Sequence, residues 1–231
     1  MNQPVDLRPT FDFLKLLQVN NNREWFNANK SLYEGSHANI IAYAERLLAC
    51  LQIHDQIETP SGKKSVFRIY RDIRFSKDKT PYKNNWGGGF RRASEALRGG
   101  YYFQIQPGNT FVAGGFWGPN AQDLLHIRKH IAQDSSEIRQ IIEDAQFQKT
   151  FKKLRGSQLK SAPKGFDKEH PDIDLLRYKQ FIVRHDFNDK EVLQPDIMLK
   201  MDNAFQQMRP FFNYMSEILT TDLNGTPILQ L

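Results

Sequence analysis

One cysteine, Cys50, stands in a chain of 231 residues. A single thiol excludes an internal disulfide and any zinc site built on several cysteines, and it fits a reducing compartment. No apolar run approaches the roughly 20 residues needed to span a bilayer. The opening Met1-Asn2-Gln3-Pro4-Val5-Asp6 has no basic region followed by an apolar one, so no secretory signal is expected. These absences predict a cytoplasmic protein without a membrane partner. Repeats, low-complexity tracts and a dividing linker are also missing, as are the GxSxG, HExxH and GxxxxGK(S/T) signatures.

What is present suits a single domain over residues 1–231. Hydrophobic residues at 39% supply a core, and charged residues at 25% match a globular chain and not a disordered one. The net charge of +6 is concentrated: residues 60–100 hold eleven lysines and arginines against three acids. That window is therefore +8, and everything outside it sums to −2. Basicity so localised points to a particular anionic partner more than to general solubility.

The pattern predicts helices at both ends and strands between. Phe11, Leu14 and Leu17 recur at helical spacing, and Asn20-Asn21-Asn22 reads as a turn with Asn22 as N-cap. A long helix is expected from about Arg23 to about Leu51, with Ile40, Ile41, Ala44, Leu47, Leu48 and Leu51 as its apolar stripe and Gly35 as a point of interruption. Val66 to Phe75 alternates like a strand, with Phe67, Ile69, Arg71, Ile73 and Phe75 on one face. Tyr101–Gln106 and Phe111–Trp117 flank Pro107-Gly108-Asn109, which is hairpin chemistry. Further helices are expected after Asn120, after a capping box at Asp134–Glu137, and from Asp196 to about Leu219 behind Pro195. Gln180–Phe187 reads as another strand. Strands grouped between helical ends, without βαβ alternation, predict an α+β fold with a mainly antiparallel sheet.

Several strings occur in a recognisable order. They are Asn20–Phe26 (NNNREWF), Arg68–Lys83 (RIYRDIRFSKDKTPYK), Gly100-Tyr101-Tyr102, Pro163–Asp167 (PKGFD) and Phe181-Ile182-Val183. In these the chain resembles a bacterial and fungal family described as conserved hypothetical proteins, domain of unknown function 2461, over about residues 11–219. The resemblance implies one family domain. It carries no activity, cofactor or catalytic residue.

The site has to be argued from side chains. Arg71 shares its predicted face with apolar residues, so it must be paired, because an isolated buried charge costs several kcal/mol at least. On that reading Arg71→Ala costs about 3–5 kcal/mol. Arg68 and Arg74 fall on the other face with Asp72 between them, and the following turn offers Lys77, Lys79, Tyr82 and Lys83. Arginine forks suit phosphate and carboxylate oxygens. The leading expectation is an anion- or phosphate-binding module in which Arg68, Arg71, Arg74, Lys77 and Lys79 orient the anion while Tyr82 and Lys83 close over it. The partner would be a phosphate-containing small molecule, or single-stranded nucleic acid stacked on Tyr82 and Trp86. Gly87-Gly88-Gly89 would permit close backbone approach to a ligand, although Arg92 occupies the place of the last glycine in a GxGxxG pattern. Two other readings stay open. One is an enzyme acting on a phosphorylated or nucleotide-containing substrate, with Asp72 or Asp78 as acid, base or metal ligand. The other is a structural or interaction protein whose basic segment is a solvated face with one Arg–Asp pair.

Other reactive groups read as structural. Cys50 adjoins the apolar stripe of its helix and suits a buried small hydrophobe. His185 falls on the apolar side of its strand, as a hydrogen-bonded core histidine. His126 and His130 are four apart on a helix, but no third ligand stands out, so they read as an exposed helix face. Elemental analysis of the purified protein is therefore expected to find no stoichiometric zinc, nickel or iron. About one metal per chain, lost in a His126→Ala/His130→Ala double variant, would contradict that.

Overall fold

The computed structural model describes residues 5–228. The chain opens with helices α1 (Arg8–Val19), α2 (Arg23–Ala28), α3 (Lys30–His54) and the one-turn α4 (Gly62–Ser65). Strands β1 (Trp86–Arg91), β2 (Gly100–Ile105) and β3 (Thr110–Phe116) follow. Next come α5 (Ala121–Gln133), α6 (Ser136–Glu143), α7 (Ala145–Phe151), α8 (Ile173–Leu176) and strand β4 (Phe181–Phe187). The last elements are α9 (Asp189–Val192), α10 (Ile197–Gln207) and α11 (Arg209–Thr220). The strands form an open antiparallel sheet in the order β1-β2-β3-β4, so the fold is α+β. The β2–β3 hairpin turns at Pro107-Gly108-Asn109, where Gly108 takes a φ of +74° that a side chain would resist.

The chain divides into two compact units. One holds the chain up to Phe90 with Tyr102–Val112 and Asp186–Asn203; the other holds Arg91–Tyr101, Ala113–His185 and the chain from Ala204 onward. In the first, Phe11, Leu14 and Leu17 of α1 lie buried, as do Ile40, Tyr43, Ala44, Leu47 and Leu51 of α3. This is the stripe expected from spacing, and Tyr43 extends it by donating its hydroxyl to Met201 Sδ at 3.2 Å. In the second, Phe211, Phe212, Met215 and Ile218 of α11 and Ile127 and Ile131 of α5 are buried.

The long predicted helices are broken, each for a local reason. Asn22 caps α2, its side chain accepting from Trp25 N at 2.8 Å, but Asn29 leaves helical geometry and separates α2 from α3. Gly35 does not interrupt α3. The predicted last helix splits at Met208, because Pro210 has no N–H with which to continue the ladder. The capping box expected at Asp134–Glu137 does not form: Ser135 is the N-cap of α6 without a side-chain cap bond, and its hydroxyl donates to Asp172 at 2.7 Å.

Residues 66–75 are not a regular strand. Val66 bridges Gly88 and Tyr70 bridges Tyr82, so four steps on one side oppose six on the other. The surplus bulges at the bend of Asn84 and Asn85. Ile69 is buried as expected, but Phe67 and Phe75 are exposed, so the apolar face is not continuous. The glycines of β1 serve packing. A Cβ on Gly87 would stand 2.7 Å from the Tyr102 hydroxyl, and one on Gly88 would stand 2.4 Å from the Phe103 ring, leaving no space there for a ligand.

Arg92 is the least expected core residue, at 1% exposure. Its Nη1 donates to the Arg98 carbonyl at 3.1 Å and to Ser216 Oγ at 3.2 Å, and its Nη2 donates to Asn213 Oδ1 at 3.2 Å. The guanidinium also lies over the Phe212 ring, 5.4 Å from its centre. Removing it orphans several buried acceptors at once. Arg92→Met should therefore destabilise by about 3–5 kcal/mol in a chemical melt, and a loss below about 0.5 kcal/mol would contradict this account.

Candidate functional site

The Asn20–Asn22 turn between α1 and α2 positions the basic segment. Asn21 donates from Nδ2 to the Tyr82 carbonyl at 3.0 Å and accepts from Tyr82 N at 3.1 Å, so its amide mimics a strand partner. The Tyr82 ring stacks on Phe26 of α2, centres 3.9 Å apart and planes 12° from parallel. Ile69 O accepts from Lys83 N at 2.8 Å and Pro81 O accepts from Arg71 N at 2.9 Å. Together these bonds fix residues 69–71 against 81–83.

Beside this ribbon lies an open cleft of about 450 Å³. The basic segment contributes Arg71, Asp78, Thr80 and Lys83 to its wall; Gln18, Asn21, Asn84 and Asn85 add a ring of amides, and Tyr82 completes it. Arg71 Nη1 donates to Asp78 Oδ2 at 2.5 Å, to the Thr80 carbonyl at 3.0 Å and to the Thr80 hydroxyl oxygen, and Nη2 reaches Ser76 Oγ at 3.5 Å. Asp78 Oδ1 accepts from Thr80 N at 2.9 Å and from Thr80 Oγ1 at 2.8 Å. The Thr80 bonds, reinforced by Arg71, pull the Asp78 carboxyl down to about 2. Lys83 differs from its neighbours. Its ammonium makes no ion pair and no hydrogen bond among the described residues, and it lies over the Phe67 ring, 6.0 Å from the centre. Partial burial, then the charge of Arg68, lowers its pKa.

Of the residues expected to form one site, Arg71, Asp78, Tyr82 and Lys83 share this cleft. Arg68, Arg74, Lys77, Lys79 and Asp72 do not line it. Arg74 and Asp72 pair with each other at 2.6 Å on side chains 77% and 54% exposed, an ordinary surface ion pair. Lys79 Nζ donates to the Ile73 carbonyl at 3.0 Å, and Lys77 is exposed. Arg71 is paired, as expected, but its partner Asp78 is 60% exposed. The cost of Arg71→Ala is therefore nearer about 1–2 kcal/mol than the value for a buried pair. Stacking of bases on Tyr82 and Trp86 is not available. The Tyr82 face is covered by Phe26, and Trp86 is 1% exposed with its indole N–H donating to Ser36 Oγ at 2.9 Å.

The remaining groups fall largely in structural places. Cys50 is half-buried, and burial raises its thiol. His185 Nδ1 bonds the Thr150 carbonyl at 2.7 Å. His126 and His130 are half-buried and not on an exposed face. Their rings sit 4.6 Å apart, and His126 Nε2 bonds the Thr221 carbonyl at 2.8 Å, because the chain after α11 folds over α5. Among the described residues no group of three or more His, Cys, Asp or Glu could hold a metal ion.

The depressed Asp78 carboxyl ties this loop to pH. Its folded value lies below the ordinary 3.8, so its contribution is full above that pH and is lost as pH falls through about 2. An NMR titration should place the Asp78 midpoint near 2, and Thr80→Val should move it up toward 3.8. Equal midpoints in the two proteins would show that Thr80 does not hold the carboxylate.

No curated protein and no solved structure matches the chain. A family model described as Conserved hypothetical protein (DUF2461) matches residues 9–214. That match covers most of the chain, and the chain belongs to the DUF2461 family.

Proposed function

We propose that the cleft beside Asn21 and Lys83 binds a small phosphate-bearing anion. The observation that carries this reading is Lys83, a half-buried residue whose ammonium makes no ion pair and no hydrogen bond among the described residues. A cation desolvated without a partner is unfavourable in the free protein and becomes favourable when an anion supplies the missing acceptors. The surroundings are consistent. Gln18 and Asn84 offer side-chain amides with no hydrogen-bond partner in the described residues, and the Arg71 guanidinium, paired with Asp78, stands in the same wall. A tetrahedral anion has acceptor oxygens for both the cations and the amides.

An enzymatic reading is less favoured by the same geometry. Asp78 is ionised at any neutral pH, and both its oxygens already accept bonds from Thr80 and Arg71. So low a pKa makes a weak general base. Asp72 is a solvated partner of Arg74 outside the cleft.

The test is calorimetric titration of inorganic phosphate, a nucleoside monophosphate and a short single-stranded oligonucleotide, at low and at physiological salt. At least one phosphate-bearing ligand should bind the wild type, more weakly at high salt. Lys83→Ala should weaken it about tenfold or more, the scale of losing one charge-assisted contact, while a Lys77→Ala/Lys79→Ala variant should bind within about twofold of wild type. Equal binding by wild type and Lys83→Ala would overturn the proposal.

A further inference from the structure

A second cleft, of about 550 Å³, lies in the other compact unit and has the opposite character. Helical spacing builds it. Glu137, Gln140, Ile141 and Asp144 fall at i, i+3, i+4 and i+7 along α6 and its C-cap, so they share one face. Pro210, Asn213, Tyr214 and Glu217 do the same along α11, and Phe147 of α7 adds an aromatic wall. Three carboxylates line this cleft, and no lysine or arginine does among the described residues.

Two of the three carboxylates, both exposed, make no ion pair and no side-chain hydrogen bond among the described residues. Asp144 caps α7, accepting from Gln146 N at 2.8 Å and Phe147 N at 3.0 Å. Glu137 and Glu217, by contrast, make no ion pair and no side-chain hydrogen bond in the described residues. They are close enough that Glu217 raises the Glu137 carboxyl further, after the larger effect of its burial. An independent feature points into the same place. Tyr214 is 5% exposed, and its hydroxyl is enclosed with no hydrogen-bond partner. Burial raises its pKa, and Glu137, Asp134 and Glu217 raise it further, so the cleft's two glutamates lie near the phenol that lines the same cleft. A buried phenol left unpaired in a native fold calls for an explanation.

We propose that this cleft binds a small organic polycation, a linear alkyl polyamine with two or more primary ammonium groups. An ammonium carries three donors and no acceptor. It can donate to Glu137 and Glu217 and to the phenolic oxygen of Tyr214, whose own O–H then turns toward a carboxylate. Ile141, Phe147 and Pro210 supply apolar surface for the methylene chain, with the Phe147 ring also able to face a cation. A metal ion is a poorer fit, since no three acidic or histidine groups in the described residues converge as a ligand set. The cleft volume lies within the usual range of about 300–1,000 Å³ for small-ligand sites.

The experiment is calorimetric titration of spermidine into the full chain at low and at physiological salt. Magnesium chloride serves as a competitor, and Glu137→Gln/Glu217→Gln and Tyr214→Phe serve as variants. The expected result is saturable binding to the wild type at one site per chain. The double variant should lose at least tenfold in affinity, Tyr214→Phe several-fold, and millimolar magnesium should displace little of the spermidine. Circular dichroism melts should show both variants folded. Absence of saturable binding, equal affinity in the folded double variant, or displacement by magnesium as effective as by putrescine would each overturn the proposal.

Discussion

The double hydrogen bond between the Asn21 amide and the Tyr82 backbone, at 3.0 and 3.1 Å, is the constraint on which the basic segment depends. Without it, residues 72–80 are a long excursion with three basic and two acidic side chains and little buried surface to hold them. Only Ile69 and Tyr82 of the 66–82 stretch belong to the buried apolar core. Asn21 anchors the end of the excursion, Phe26 covers the Tyr82 ring, and Arg71 gathers Ser76, Asp78 and Thr80 around one guanidinium. The lysines that would otherwise repel are thereby held apart. Lys79 is tied to a backbone carbonyl and Lys77 is left in solvent, while Lys83 lines the cleft.

Each unit thus holds a cleft whose charges the fold leaves unneutralised, positive in one and negative in the other. Elsewhere the same chain pairs its charges closely. Arg139 meets both Asp172 and Asp174 at 2.8 Å, Arg98 bonds Asp123, and Arg92 bonds the Arg98 carbonyl, Asn213 and Ser216. Against that pattern Lys83 is a half-buried exception, and a half-buried unpaired charge is where binding energy is available; Glu137 and Glu217 are exposed and line the acidic cleft without an ion pair among the described residues. Their ordinary pKa values are disturbed mainly by burial in the cases of Lys83 and Glu137, which is the electrostatic cost a ligand would relieve.

Much of the fold was legible in the sequence. The stripes of α1 and α3, the β2–β3 hairpin, strand β4, the Asn22 and Asn120 caps and the family strings all rest on local patterns that tertiary packing preserved. The misreadings share a cause. Alternation over Val66–Phe75 mimicked a strand, but the two residues that break its ladder, Asn84 and Asn85, lie on the opposing segment and carry no local signal. Pro210 was a signal that could have divided the last helix. The burial of Arg92 was hidden because its acceptors, Arg98, Asn213 and Ser216, are set by tertiary structure. Half of the candidate cleft was likewise out of reach: Arg71, Asp78, Tyr82 and Lys83 came from charge clustering, whereas Gln18, Asn21, Asn84 and Asn85 are polar residues whose spacing says nothing of convergence.

The central claim is that Lys83 is a cation awaiting an anion. Its most direct measurement is the Lys83 ammonium pKa, followed by NMR on selectively labelled protein without and with saturating inorganic phosphate. The account predicts a value below that of an ordinary lysine in the free protein, from burial and from Arg68, and a rise when phosphate occupies the cleft, since a nearby negative charge favours the charged form. A Lys83 pKa that is ordinary in the free protein and unmoved by phosphate would contradict it.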